Sequence, residues 1–251
     1  MNFRSSLIAG SLVIFAATTG FAQEYPPTGS PASWPHPLDD SMNFTFFQVD
    51  RAELGFGDGD STYLLDTQGW VGTDLNKFWF KVEADGDFNA GFGEAEIQGL
   101  YSRMLTSFFD VQVGIRQDVG PGLDPTTYAV AGIQGLAPYW FEIDTALFLS
   151  DKGDLTGRME AEYDVLFTQR LIGQPRMEVS VAAQDVATQG IGSGLSTIEF
   201  GFRLRYEVKR EFAPYIGVSW NSAVGRTADF RRLANEPVSG SSVVAGIRMW
   251  F

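Results

Sequence analysis

The sequence predicts an all-β fold, an antiparallel transmembrane β-barrel of the outer membrane with about twelve strands. Three observations lead there. An export leader opens the chain. Apolar and polar residues alternate in segment after segment, up to the last residue. The alternating segments suit the roughly 9–11 residues of a membrane strand better than the 5–6 usual in soluble sheets. A soluble β-sandwich is the competing reading, because it alternates too.

Residues 1–22 read as a signal peptide. Arg4 gives a short positive start. An apolar run over 7–15 is interrupted only by Gly10 and Ser11, and Gly20-Phe21-Ala22 fits a small-residue cleavage site. A buried N-terminal helix is the alternative. Nothing after residue 22 approaches the ~20 apolar residues of a membrane helix. Residues 23–42 then read as a periplasmic segment and 43–251 as the barrel.

Strands are expected near 43–55, 61–71, 76–85, 93–103, 108–118, 126–136, 139–148, 155–166, 174–184, 195–207, 214–223 and 242–251. In the third, Phe78, Phe80 and Val82 alternate with Lys77, Trp79, Lys81 and Glu83. In the fifth, Val111, Val113 and Ile115 alternate with Asp110, Gln112, Gly114 and Arg116. The eighth sets Met159, Ala161, Tyr163 and Val165 against Arg158, Glu160, Glu162 and Asp164. The tenth sets Ile198, Phe200, Phe202, Leu204 and Tyr206 against Glu199, Gly201, Arg203, Arg205 and Glu207. The last ends on Val243, Ala245, Ile247, Met249 and Phe251, against Val244, Gly246, Arg248 and Trp250. A polar face meeting bulk water could be lysine and threonine. Here it concentrates Glu and Arg, which in a barrel face the lumen and pair across strands.

An even strand number returns the chain to the periplasm. Residues 57–60, 86–92, 119–125, 150–154, 185–194 and 224–241 are then outer loops, and 104–107 and 136–138 are tight periplasmic turns. Trp70, Phe78, Phe108, Phe109, Tyr139, Phe212, Tyr215, Trp250 and Phe251 fall at the periplasmic strand ends and are expected to form one interfacial girdle. Asp58, Asp60, Asp87, Asp124, Asp151 and Asp154 give the outer mouth an acidic cast that favours cations.

Composition excludes several functions. The 251 residues include no Cys and one His, His36, which removes disulfides, thiol redox chemistry, zinc ribbons and iron–sulfur ligation. With 31 acids against 18 bases, no nucleic-acid partner is expected. Nor is catalysis: a barrel lipase needs a Ser and a His base on a strand, and the one His precedes the first strand. A dozen carboxylates spread over many strands single out no acid pair. Lipid is the expected outer partner. The lumen is expected to hold Glu83, Glu94, Glu96, Asp110, Glu142, Asp144, Glu160, Glu162, Asp164, Glu178, Glu199 and Glu207, opposed by Lys81, Arg116, Arg158, Arg176, Arg203, Arg205 and Arg248. Glu160, Glu162 and Asp164 form a ladder with rungs about 6.6–6.8 Å apart. Three readings stay open: acids paired with arginines as lumen filling, a cation path, or a hard oxygen-ligand metal site.

Several stretches resemble the copper resistance protein B family of outer-membrane proteins. They include Gly69-Trp70-Val71-Gly72-Thr73-Asp74-Leu75-Asn76-Lys77-Phe78-Trp79-Phe80-Lys81-Val82-Glu83, Leu100-Tyr101-Ser102-Arg103 and Gln134-Gly135-Leu136-Ala137-Pro138-Tyr139-Trp140-Phe141-Glu142. Glu160-Ala161-Glu162-Tyr163-Asp164, Thr168-Gln169-Arg170-Leu171-Ile172, Gly190-Ile191-Gly192-Ser193-Gly194-Leu195-Ser196 and Arg210-Glu211-Phe212-Ala213-Pro214-Tyr215 complete the set. The resemblance covers roughly 34–251. It implies an outer-membrane barrel that binds or exports copper, alongside a periplasmic multicopper oxidase. A general cation-selective channel or a structural barrel without metal specificity is the alternative.

The sequence departs from the family in one respect. Members often carry a Met- and His-rich extension before the barrel, and here residues 23–33 have neither. His36 and Met42 remain as a weak imidazole and thioether pair. Met159, Met177 and Met249 fall on the lipid register, and Met104 in a periplasmic turn. Any copper contact is therefore expected to be weak or transient, through His36 and Met42 at the periplasmic end and Glu94, Glu96, Glu160, Glu162 and Asp164 in the lumen.

Overall fold

A computed structural model describes residues 42–57, 61–122 and 125–251. The signal-peptide reading, His36, Asp58, Asp60 and Asp124 lie outside the described residues. The strands are β1 (Phe44–Gly57), β2 (Thr62–Gly72), β3 (Asn76–Asp87), β4 (Gly91–Thr106), β5 (Phe109–Val119), β6 (Thr126–Ala137) and β7 (Phe141–Ser150). Then come β8 (Leu155–Tyr163), β9 (Val165–Leu166), β10 (Leu171–Ala182), β11 (Gly194–Tyr206), β12 (Phe212–Ala223) and β13 (Ser239–Trp250). β8 and β9 pair with the same strand, β10, and form one wall strand interrupted at Asp164. The wall thus has twelve strands, as the alternation predicts.

Every neighbour is antiparallel, and β1 pairs with β13 to close the ring. Closure is forced by the solvent. Hydrocarbon offers no hydrogen bonds, so an open sheet edge there leaves each unpaired amide costing several kcal/mol. The seam ends on the last residue: the Phe47 amide donates to the Phe251 carbonyl at 3.1 Å, and the Phe251 amide to the Phe47 carbonyl at 2.8 Å. Their rings stack outside, 6.4 Å apart.

Period 2 sorts the side chains. Leu65, Ile97, Val113, Ile115, Leu147, Phe200, Ile216 and Val218 are exposed on the outer wall, where lipid covers them. Met159 and Met177 share that face, as predicted. Gln48, Arg51, Glu53, Glu96, Gln98, Arg176, Arg203 and Arg205 are buried inside. One irregularity matters for the lumen: register shifts between Val49 and Ala52 make a bulge in β1, and both Asp50 and Arg51 contact luminal partners.

Three members of the expected girdle turn inward. Trp70 pairs across strands with Trp79, whose indole N–H donates to luminal Gln68 at 3.3 Å. Trp250 is opposite Gln48, and Tyr215 is opposite Arg205. The strand position of all three is as predicted, but their parity puts them on the lumen side. Trp250, Phe46, Trp70 and Trp79 form a ribbon on the inner wall, with successive centroids 6.5, 6.3 and 6.2 Å apart. Phe78, Tyr139, Phe212 and Phe251 remain outside or at the rim, and Tyr139 and Trp140 occupy left-handed backbone in the β6–β7 turn.

The two rims differ. Short turns join strands at the rim that holds both barrel ends, hereafter the terminal rim. At the opposite, loop rim, the segment predicted as a plain loop over 224–241 contains a helix, α1 (Gly225–Ala234). Its Thr227 hydroxyl accepts from the Gly192 amide at 2.9 Å, and Arg226 pairs with Asp185 at 2.5 Å. Ser193 N–H also donates to Asp185, at 2.8 Å, and holds its carboxyl below the usual aspartate range. The connected loop reaches inward: Gln189 donates to the hydroxyl of luminal Tyr128 at 3.0 Å. Arg226, Arg231 and Arg232 of α1 offset the acidic cast expected at this mouth.

Candidate functional site

Alternation delivers carboxylates to the lumen in rows. Glu160 is directly opposite Asp144 on one side and Glu178 on the other, and Glu178 is opposite Glu199. Asp66, Glu83 and Glu96 make a second row across β2, β3 and β4. Like charges directly opposite destabilise a sheet, so such rows need cations. Three arginines supply them. Arg176 contacts Glu160 at 2.6 Å, Glu178 at 2.7 Å, Glu199 at 3.0 Å and Glu162 at 3.4 Å. Arg51 contacts Asp66 at 2.9 Å, Glu83 at 3.3 Å and Glu199 at 4.0 Å. Arg158 contacts Glu96 at 2.8 Å, Glu83 at 3.5 Å and Glu178 at 3.6 Å. Because Arg158 stands on β8 and two of its three partners, Glu83 and Glu96, stand on β3 and β4, the belt crosses the lumen rather than lining it.

Above the belt, Arg116 holds Glu96 and Asp118 at 2.6 Å each and stacks over Tyr128 and Phe148, 5.0 and 4.7 Å from the ring centroids. Leu100, Tyr128, Val130 and Phe148 form a small apolar cluster on this inner wall. Such cation–π contacts contribute most where water is excluded.

Below the belt lies a cavity of about 570 Å³. It runs from Glu83, Glu96 and Arg158 to Met104, Ser107, Phe108 and Leu136 at the terminal-rim turns. Its lining holds nine carboxylates, from Asp50, Asp66, Glu83, Glu96, Asp110, Glu142, Asp144, Glu160 and Glu162, against three cations, Lys77, Lys81 and Arg158. Lys77 pairs with Asp110 at 2.6 Å, and Lys81 pairs with Asp144 across the lumen. Glu142 is opposite Glu162, and its side chain has no ion pair or hydrogen bond among the described residues.

The sequence-predicted ligands separate here. Glu96, Glu160 and Glu162 share the cavity. Glu162 accepts from Gln174 at 2.7 Å. Glu94 is exposed beyond the belt, near the loop rim. Asp164 sits in the strand interruption, paired with Arg205 at 2.5 Å. Met42 is 54% exposed just before β1. Among the described residues, no three His, Cys, Asp or Glu side chains converge as a metal-ligand set. Asp50 and Asp66 join the lumen acids beyond those that the sequence predicts. Asp66 carried a signal in its parity with Gln68 and Trp70, whereas the β1 bulge hides Asp50.

The model of the family described as copper resistance protein B precursor (CopB) matches residues 43–251. The chain belongs to the copper resistance protein B family. It is 39% identical over 216 residues to the copper resistance protein B homolog of Pseudomonas syringae pv. tomato, covering 86% of this chain and 73% of that protein. It is equally identical over 216 residues to copper resistance protein B of Escherichia coli, covering 72% of that protein. Among solved structures, the NanC porin matches with TM-score 0.55 at 13% identity, over 81% of this chain and 98% of that one. The KdgM porin matches with TM-score 0.51 at 11% identity, over 82% and 98%. These likenesses carry the fold, a porin-type outer-membrane barrel. The family places the protein in the outer membrane with a role in copper resistance.

Proposed function

We propose that this family member binds copper ions weakly in the cavity at its periplasmic mouth and passes or sequesters them there, without catalysis. The observation that carries the reading is the cavity's excess of carboxylates over cations. Carboxylate oxygens suit Cu(II) better than Cu(I), which prefers thioether, imidazole or thiolate donors. Met104 is a thioether lining that cavity, Met42 is another just before β1, and His36 lies six residues before Met42 in the sequence. Glu142, Glu162 and Glu160 are the first ligands an ion meets below the belt. Glu94 and Asp164 act outside the cavity, the first at the outer mouth.

A periplasmic multicopper oxidase is the partner this reading implies, exchanging copper at the terminal rim. Residues 1–22 direct export and are then removed, so protein taken from outer membranes should start at Gln23. The decisive experiment titrates the purified barrel with Cu(II) and Cu(I), then repeats it with Glu142→Gln and Glu162→Gln together. Weak Cu(II) binding that the double variant loses supports the reading. Cu(II) binding unchanged in that variant refutes it.

The crossing belt favours a second reading, a structural barrel that conducts little. Single-channel conductance in a planar bilayer separates the two. A large, steady, copper-independent current points to a general cation channel, and no current with no copper binding points to the structural barrel.

A further inference from the structure

We infer that a second pocket at the terminal rim binds a small organic carboxylate carried on a flat apolar body. The pocket holds about 310 Å³, at the lower end of small-ligand sites of roughly 300–1,000 Å³. Arg205, Arg210 and Arg248 line it, with Glu207 as the one acid among its lining residues. That balance reverses the rest of the molecule, where 31 acids outnumber 18 bases.

The three guanidinium groups are not equally engaged. Arg205 is committed, donating to Gln174 at 3.1 Å and pairing with Asp164 at 2.5 Å. Arg248 has a single carboxylate contact, Asp50 at 3.3 Å, and Asp50 already accepts from Gln68 at 2.5 Å and from Gln48. The Arg210 side chain has no partner among the described residues. A guanidinium carries five N–H donors in a planar fork that matches a carboxylate. Two of the three therefore have donors to spend on an incoming anion.

The walls define the rest of the ligand. Phe46 and Trp250 stack 6.5 Å apart at the end of the aromatic ribbon and present flat apolar surface. The Trp250 indole N–H is spent on the Arg210 carbonyl at 2.9 Å, which fixes the ring and ties it to the arginine-bearing turn. A bare oxyanion uses the fork and leaves the rings uncovered. An aromatic or similarly flat acid uses both.

The test is calorimetric, on the full barrel in detergent and copper-free buffer, so its outcome is independent of copper binding. Benzoate, benzamide and sulfate are the probes. Benzoate should bind one to one, benzamide about ten-fold or more weaker, and sulfate weaker than benzoate. Arg210→Gln lies in an exposed turn and should weaken benzoate about ten-fold, or about 1.4 kcal/mol. Arg231→Gln, on α1 at the other rim, should leave it unchanged. Arg248→Gln should act like Arg210→Gln, with folding checked by heat-modifiable gel mobility. Equal affinity for benzoate and benzamide would overturn the proposal, as would benzoate binding that survives both arginine substitutions. Sulfate matching benzoate would overturn the flat-body assignment.

Discussion

Replacing Arg176 by glutamine should destabilise the barrel and raise its affinity for Cu(II) together. The arginine side chain is 2% exposed and contacts four carboxylates within 3.4 Å. Two of the pairs it bridges, Glu160 with Glu178 and Glu178 with Glu199, are direct cross-strand neighbours. Without the guanidinium these face each other with only longer contacts left, Arg158 to Glu178 at 3.6 Å and Arg51 to Glu199 at 4.0 Å. Breaking a buried pair by removing one partner costs about 3–5 kcal/mol. With a urea slope near 2 kcal/mol/M, the unfolding midpoint should fall by roughly 1.5–2.5 M. Gel mobility after graded urea reads the midpoint. Adding Glu160→Gln and Glu178→Gln should recover part of the loss, because it removes the repulsion. The freed carboxylates of the single variant should bind Cu(II) more tightly. A midpoint shift under about 0.5 M would refute the energetic argument. A full shift with unchanged copper affinity would show that these acids are not ligands.

Deleting Phe251 removes one seam hydrogen bond in each direction and a ring stack, so the yield of heat-modifiable folded barrel should drop sharply; normal folding would count against the seam's importance. Asp185 has a depressed carboxyl value, so its contribution to the loop is full above the ordinary aspartate pKa near 3.8 and is lost as pH falls through the depressed one. Asp185→Ala should mimic that loss at neutral pH, read as faster amide exchange across 183–193, with the barrel strands unchanged. Copper affinity should weaken as pH drops toward ~4, because carboxylates must be ionised to bind. His36→Ala with Met42→Ala should change Cu(I) binding only modestly; tight Cu(I) binding abolished by the pair would show that the N-terminal segment is the main site.

Period 2 made the fold legible, since a bilayer outside and charge inside leave each residue one acceptable side. Strand number and most boundaries follow from it. The girdle fails at Trp70, Tyr215 and Trp250 because strand parity overrides the preference of Trp and Tyr for headgroups. The helix α1 escaped for a different reason. Its N-cap, Val224, makes no side-chain cap, and the stop at Asn235, in left-handed backbone, is a weak mark among loop residues. Ion-pair partners such as Arg176 with Glu199 could not be read at all. They depend on the stagger between strands, which no single strand encodes. The same stagger decides that Glu96 and Glu162 share a cavity while Glu94 and Asp164 do not.

The bond from Gln189 to Tyr128 joins the outside of the barrel to its interior. Tyr128 underlies Arg116, Arg116 grips Glu96, and Glu96 grips Arg158. A loop that shifts must either break that first bond or drag the ring with it. Anything that seizes this loop from outside the cell, whether an antibody or a phage fibre, therefore pulls on a cord whose far end is tied across the throat.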